Sequence, residues 1–197
     1  MAKRSESLEL AVLGLLHESP MHGYELRKRV TALLGWGRVP SFGSLYPCLK
    51  ELLHEGLITE DTDAESARSG RRARIVYKLT ADGKERFSTL VAQAGPATWE
   101  DDSFGVRFAF FSRTDAEIRL RILQGRRTRL EERLDGVRTA VARTRERVDT
   151  YTREMQRHGL ESAEREVRWL SELIQHEEHG KQDGDGNLPP AESIDND

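Results

Sequence analysis

The sequence predicts a mainly α-helical protein, on three observations. Leucines recur at three- and four-residue spacing along most of the chain, the mark of helices with an apolar face. One short region departs from this period. Leu57-Ile58-Thr59-Glu60 and Ile75-Val76-Tyr77-Lys78-Leu79 read as strands, and the polar DTDAESARSGRRAR between them reads as a long hairpin tip. Beyond residue 113 a heavily charged helical pattern continues with only a narrow apolar seam, as in a coiled coil.

Taken in order, Leu8 to Leu16 form a first helix that is apolar on most sides and therefore central. Ser19-Pro20 ends it and Met21-His22-Gly23 makes a turn. Tyr24, Leu26, Val30, Leu33 and Leu34 mark a second helix, stopped by the GWGRVP loop at 35–40. Leu45, Leu49, Leu52 and Leu53 mark a third, with Gly56 as its C-terminal cap. Pro47 falls inside this third helix. With Ser44 as the cap it would lie in the first turn, where its missing N–H costs little; with Ser41 as the cap it removes a hydrogen bond to Gly43. After the hairpin, Thr80 is the expected N-cap of a helix reaching toward Gly95-Pro96. Thr114 is the expected N-cap of a long helix to about Arg157, broken at His158-Gly159, with a second helix following. The tail, GKQDGDGNLPPAESIDND, is disordered by composition. Three helices, a basic hairpin and a further helix are the order of a winged helix-turn-helix. The expected division is 1–95 for that domain, 96–180 for a helical dimerisation and effector domain, and 181–197 for the tail.

The chain has 197 residues, 37% hydrophobic and 33% charged, with a net charge of −3. Residues 1–90 hold 14 Lys/Arg against 12 Asp/Glu, whereas residues 91–197 hold 17 against 22, so acid is concentrated late. A negative total leaves room for a nucleic-acid partner, because binding depends on the local patch. The single cysteine, Cys48, excludes an internal disulfide framework and makes a reducing cytoplasm the expectation. The N-terminal apolar run is interrupted by Glu9 and Glu18 and reads as a helix, not a signal peptide, and no run is long enough to span a membrane.

LELAVLGLLHESPMHGYELRKRV, PSFGSLYPCLKELLHEGLI and GRRARIVYKLTADGKERF together closely resemble the PadR (phenolic acid decarboxylase regulator) family of bacterial transcription factors, over roughly residues 8–90. The strongest elements are His22-Gly23-Tyr24-Glu25-Leu26, Gly43-Ser44-Leu45-Tyr46-Pro47, Glu55-Gly56-Leu57-Ile58 and Arg72 to Gly83. Residues 99–176, opening on DDSFGVRFAFF, resemble the C-terminal helical domain of the larger branch of that family. The resemblance implies a homodimeric DNA-binding repressor that answers to a small ligand or stress signal, with no cofactor. The chain departs from the family pattern in its long Ala64–Arg74 wing and its acidic tail.

The third helix is the candidate recognition element. Its leucines face the core, which leaves Ser41, Gly43, Ser44, Tyr46 and Lys50 for the opposite face. Short hydroxyls and a phenol near free helix N–H groups suit phosphates and base edges. Tyr24 and Lys28 on the second helix are further candidate phosphate contacts. Arg68, Arg71, Arg72 and Arg74 around Ser69-Gly70 form the densest positive patch in this half, suited to a minor groove or to phosphates. Against these stand a serine that only caps, a tyrosine that only covers surface, and a solvated charge run. Leu123, Leu130, Leu134, Val137, Val141, Val148 and Val167 lie on the seam expected to pair two subunits. Trp99 and Phe104 are the candidates for an apolar effector pocket, with core packing as the competing role.

Enzymatic readings fare poorly. His176-Glu177-Glu178-His179 spaces its histidines three apart, not the four of a zinc-protease helix, and reads as a solvated run. Gly35-Trp36-Gly37 lacks the third glycine and the preceding strand of a dinucleotide loop. No serine sits in a nucleophile elbow, and Cys48 has a packing position. The rival from another class is a winged-helix module that binds protein and not DNA.

Overall fold

The computed structural model describes residues 2–34, 42–62, 75–144 and 149–183. The chain divides into two compact units, Met1–Ile118 and Arg119–Asp197.

In the first unit α1 (Ala2–Glu18) is followed by β1 (Met21–His22), α2 (Gly23–Leu34), α3 (Phe42–His54), β2 (Ile58–Thr62), β3 (Ile75–Leu79), α4 (Ala81–Val91) and α5 (Asp101–Ala109). Short 3-10 turns at Pro96–Trp99 and Phe111–Arg113 flank α5. Every residue from Leu10 to Leu16 on α1 is buried, glycine included, so the helix runs through the middle of the unit with neighbours all round it. Leu26 and Val30 of α2, Leu45, Leu49 and Leu52 of α3, and Phe87 and Leu90 of α4 complete the same core.

The sheet is antiparallel in the order β1-β3-β2, with Met21 opposite Tyr77 and Ile58 opposite Leu79. Met21-His22, expected as a turn, is therefore a strand; two residues are too few for a period to register. Gly56, with φ of +71°, ends α3 where an L side chain would be strained. The N–H groups of Gly56 and Leu57 return to Leu53 O and Leu52 O at 3.1 and 2.9 Å, closing the last turn.

Thr80 caps α4 as expected, its hydroxyl accepting from Gly83 N at 3.1 Å. The same hydroxyl donates toward Gly56 O and Leu57 O, at 2.8 and 3.0 Å. Gly83 packs so closely on this junction that a Cβ there would lie 2.0 Å from Leu57 O. The end of α3, the start of β2 and the start of α4 are thereby pinned at one point.

α5 belongs with the first unit. Phe110, just after it, lies over Gly14 of α1, where a Cβ would meet its ring at 2.2 Å, and meets Phe87 edge-on at 5.5 Å. Arg107 is 5% exposed and donates to Leu90 O at 2.7 Å, Gln93 Oε1 at 3.0 Å and Glu6 Oε1 at 3.1 Å. Its guanidinium thus sits at the C-terminal end of α4, where helix carbonyls lack partners. Burial pulls its pKa down and the Glu6 carboxylate pushes it back up.

Two helices make the rest, α6 (Ala116–Thr144) and α7 (Thr150–Asp183). Thr114 closes the preceding 3-10 turn, its hydroxyl donating to Phe110 O at 2.9 Å, and α6 begins two residues later. The expected helix to Arg157 and the break at His158-Gly159 are both corrected. α6 ends at Thr144, and α7 runs without interruption through Gly159, where a Cβ would meet nothing within 4 Å. The true start signal is Asp149, whose carboxylate accepts from Tyr151 N and Thr152 N at 2.9 and 3.1 Å and from the Thr152 hydroxyl at 2.6 Å. These bonds hold its pKa below the usual carboxylate value. Arg119 grips Glu177 with two bonds of 2.7 Å, Arg126 grips Glu166 at 2.8 and 3.0 Å, and Arg138 meets Glu164 at 2.6 Å. The pairing order makes α6 and α7 antiparallel. Among the described residues no helix is long and apolar enough to cross a membrane.

Candidate nucleic-acid interface

α3 has two faces. Leu45, Cys48, Leu49 and Leu52 are buried, while Tyr46, Pro47 and Lys50 are exposed and Ser44 is half-buried. Because the helix begins at Phe42, Pro47 lies past its first turn, and the Gly43 carbonyl lacks the N–H that would reach it from position 47. Gly43 is in the helix; Ser41 lies outside the described residues. Tyr46 and Lys50 are four residues apart and so share a face. α2 repeats that spacing with Tyr24, 76% exposed at its first turn, and exposed Lys28. Each of the two helices therefore presents a phenol and an ammonium on one outward line.

The wing arginines Arg68, Arg71, Arg72 and Arg74 lie outside the described residues, but the base of the wing is defined. Tyr77 is 7% exposed and Ile75, two residues away on the same face of β3 at the strand's start, is 46% exposed. His22 sits on β1, and its Nδ1 is 3.2 Å from Ile75 O. Lys78 pairs with Asp61 across the sheet. Glu60 is directly opposite Tyr77 on β2. Burial first, then Glu60 and the nearby Tyr46 phenol, raise the Tyr77 pKa.

The remaining candidates separate by burial. Phe104 is buried and stacks obliquely on Phe108 at 5.8 Å, while Trp99 is half-buried in its 3-10 turn. A cavity of about 10 Å³, room for about one water, lies among Glu6, Ser7, Leu10, Ala97, Ser103 and Arg107, and neither aromatic lines it. Leu123, Leu130 and Leu134 are buried within the single chain, Val167 is half-buried and Val137 is exposed. Val141 is in α6, and Val148 lies outside the described residues. Tyr151 and Met155 are on α7 at 87% and 74% exposed. Glu177 is no solvated residue, since Arg119 holds it. Among the described residues no cluster of three metal-ligating side chains occurs.

A core of three helices with a three-stranded sheet whose β2 and β3 form the stem of a wing defines the winged helix-turn-helix class. Residues 12–89 match the family model described as the transcriptional regulator PadR-like family. The negative transcriptional regulator PadR of Bacillus subtilis (strain 168) is 29% identical over 89 residues, 45% of this chain and 47% of that protein. The chain thus spans about half the length of that curated relative. Among solved structures, Bacillus subtilis PadR in complex with operator DNA is similar at a TM-score of 0.40 and 22% identity, over 86% of this chain and 98% of that one. The same protein with p-coumaric acid gives 0.38 and 21%, over 88% and 97%. A PadR-like regulator from Bacillus cereus gives 0.38 and 22%, over 87% and 98%. Residues 12–89 are thus similar to a family described as transcriptional regulators.

Proposed function

We propose that the protein is a dimeric, sequence-specific DNA-binding transcriptional regulator that acts as a repressor. α3 would enter the major groove with Ser44, Tyr46 and Lys50, Tyr24 and Lys28 of α2 would contact phosphates, and the 63–74 segment with its arginines would flank the helix. The observation that carries this reading is the sidedness of α3 inside the family-matched segment. Its leucines are all spent on the core, while a phenol and an ammonium remain outward at helical spacing. Repression is supported by the description of the Bacillus subtilis relative as a negative regulator. Release by a small ligand, and a cytoplasmic setting, rest on the family resemblance.

Pairing of two copies is supported by the apolar side chains left outward on α6 and α7, namely Val137, Tyr151, Met155 and Trp169. A two-fold dimer would set two α3 helices on half-sites about one helical turn of DNA apart. The test is an anisotropy titration of the full chain against labelled duplex from upstream of its own gene. Binding that weakens steeply with salt is expected, because phosphate contacts release counterions. No binding to such duplexes at low salt would overturn the reading.

A further inference from the structure

Three consecutive residues fasten the start of α2 to the sheet, each by a different contact. Met21, buried, pairs with Tyr77 of β3. His22 pairs with Val76, and there the strand pairing stops, because the next residue, Gly23, already belongs to α2. The half-buried imidazole carries the attachment one rung further: its Nδ1 lies 3.2 Å from the Ile75 carbonyl oxygen. A carbonyl only accepts, so the ring proton in this bond sits on Nδ1. Gly23 then fits so closely against β3 that a Cβ there would come within 3.3 Å of Tyr77 Cε2. The fourth residue is Tyr24, which opens the outward line completed by Lys28.

We propose that His22 is a positioning residue for DNA binding. Its bond to the Ile75 carbonyl fixes the direction in which α2 leaves the sheet, and so holds Tyr24 where it meets a phosphate. A two-residue edge strand offers few backbone hydrogen bonds of its own and leaves α2 free to pivot about it. The imidazole adds a contact beside the helix start, on the rung that the backbone of β1 does not reach, and resists that pivot. The close fit of Gly23 on the Tyr77 ring blocks movement toward the sheet, and the imidazole bond blocks movement away from it. Tyr24 lies only two residues on, so it follows any movement of this junction. A shift of about 1 Å is enough to lose a hydrogen bond between a phenol and a phosphate oxygen. His22 itself touches no DNA in this arrangement; its effect passes through Tyr24.

This inference rests on the DNA-binding reading above, and the experiment separates the two. The full-length wild-type chain, His22→Ala, His22→Asn, Tyr24→Phe and the double variant His22→Ala/Tyr24→Phe are titrated against one duplex that the wild type retains. His22→Ala should bind about tenfold more weakly, the worth of one modest hydrogen bond. Asparagine keeps an N–H donor close to the place of Nδ1, so His22→Asn should recover most of that loss. In the Tyr24→Phe background, His22→Ala should cost at most about a further twofold, because the two residues act as a unit. A readout without DNA follows the junction itself. Amide exchange at the Met21–His22 and Ile75–Tyr77 backbone should quicken in His22→Ala and return toward the wild-type rate in His22→Asn. Binding by His22→Asn as weak as that of His22→Ala would overturn the proposal. So would additive losses with Tyr24→Phe, unchanged exchange in His22→Ala, or a loss in His22→Ala that tracks a fallen thermal midpoint. A wild-type chain that retains no duplex would overturn the reading beneath it, and the proposal with it.

Discussion

In the first unit, α1 is enclosed along its C-terminal half, and α2, α3, α4 and α5 each lend it an apolar face. In the second, α6 and α7 bury a handful of residues, Ile122, Leu123, Leu130, Leu134, Leu170 and Ile174, and set three arginines against three glutamates. The contrast separates two ways of fixing helices. Apolar burial is strong but gives little information about register, so the first unit needs close-fitting glycines and a shared hydroxyl to fix its joints. Charge pairs add less free energy but specify which residue meets which. A long charged helix pair of this sort gains most of its stability from whatever packs on its remaining apolar side chains.

The sharpest break of this contrast would come from Leu13→Ala, which empties fully buried space in α1 and should cost about 4 kcal/mol, read by denaturant unfolding. Next is Gly83→Ala. A methyl group there meets the Leu57 carbonyl, which is backbone and cannot swing aside, so a loss of about 3 kcal/mol is expected in the same measurement. In the second unit the analogous deletion is Arg126→Ala. With Arg126 at 9% and Glu166 at 32% side-chain exposure, it should cost about 1 kcal/mol, partly masked at high salt. If salt affected Leu13→Ala as much as Arg126→Ala, the distinction between the two units would fail.

A pH-dependent effect is set by Cys48, whose thiol burial pushes from 9.0 up to about 12. The folded state holds this proton more tightly than the unfolded one. Its contribution to stability is therefore complete below about pH 9 and is lost as pH rises toward 12. Unfolding midpoints followed from pH 8 to 11 should fall less in Cys48→Ala than in the wild type. The same burial predicts that a thiol reagent at pH 7.5 labels the folded chain far more slowly than the denatured one.

Much of the first unit was legible because its signals are local. The continuous apolar run of α1, the Thr80 cap, Gly56 and the leucine spacing of α3 each act within a turn or two of themselves. So did the outward placement of Tyr46, Lys50, Tyr24 and Lys28, which follows from helical period alone. What stayed hidden was fixed at long range. β1 exists only because β3 lies beside it, and Tyr77 is buried because α1 and α2 pack on β3. The turn into α7 was misplaced for another reason: glycine and histidine at 158–159 looked like a break, yet an exposed helix tolerates one glycine at modest cost. The Asp149 cap, which outweighs it, stood nine residues earlier in a run of charges.

Arg107 and Phe110 bear on where the first unit can be cut. The family-matched segment stops at residue 89, but α1 and α4 hold surfaces shaped for side chains that come eighteen and more residues later. A fragment ending at residue 95 would leave the hollow over Gly14 open and one edge of Phe87 bare. It would also strand the Leu90 carbonyl and the Glu6 carboxylate without their shared cation. A fragment ending after Arg113 keeps all of these partners. A fragment ending after Arg113 should therefore unfold at a higher temperature than one ending at residue 95, read by thermal denaturation of the two.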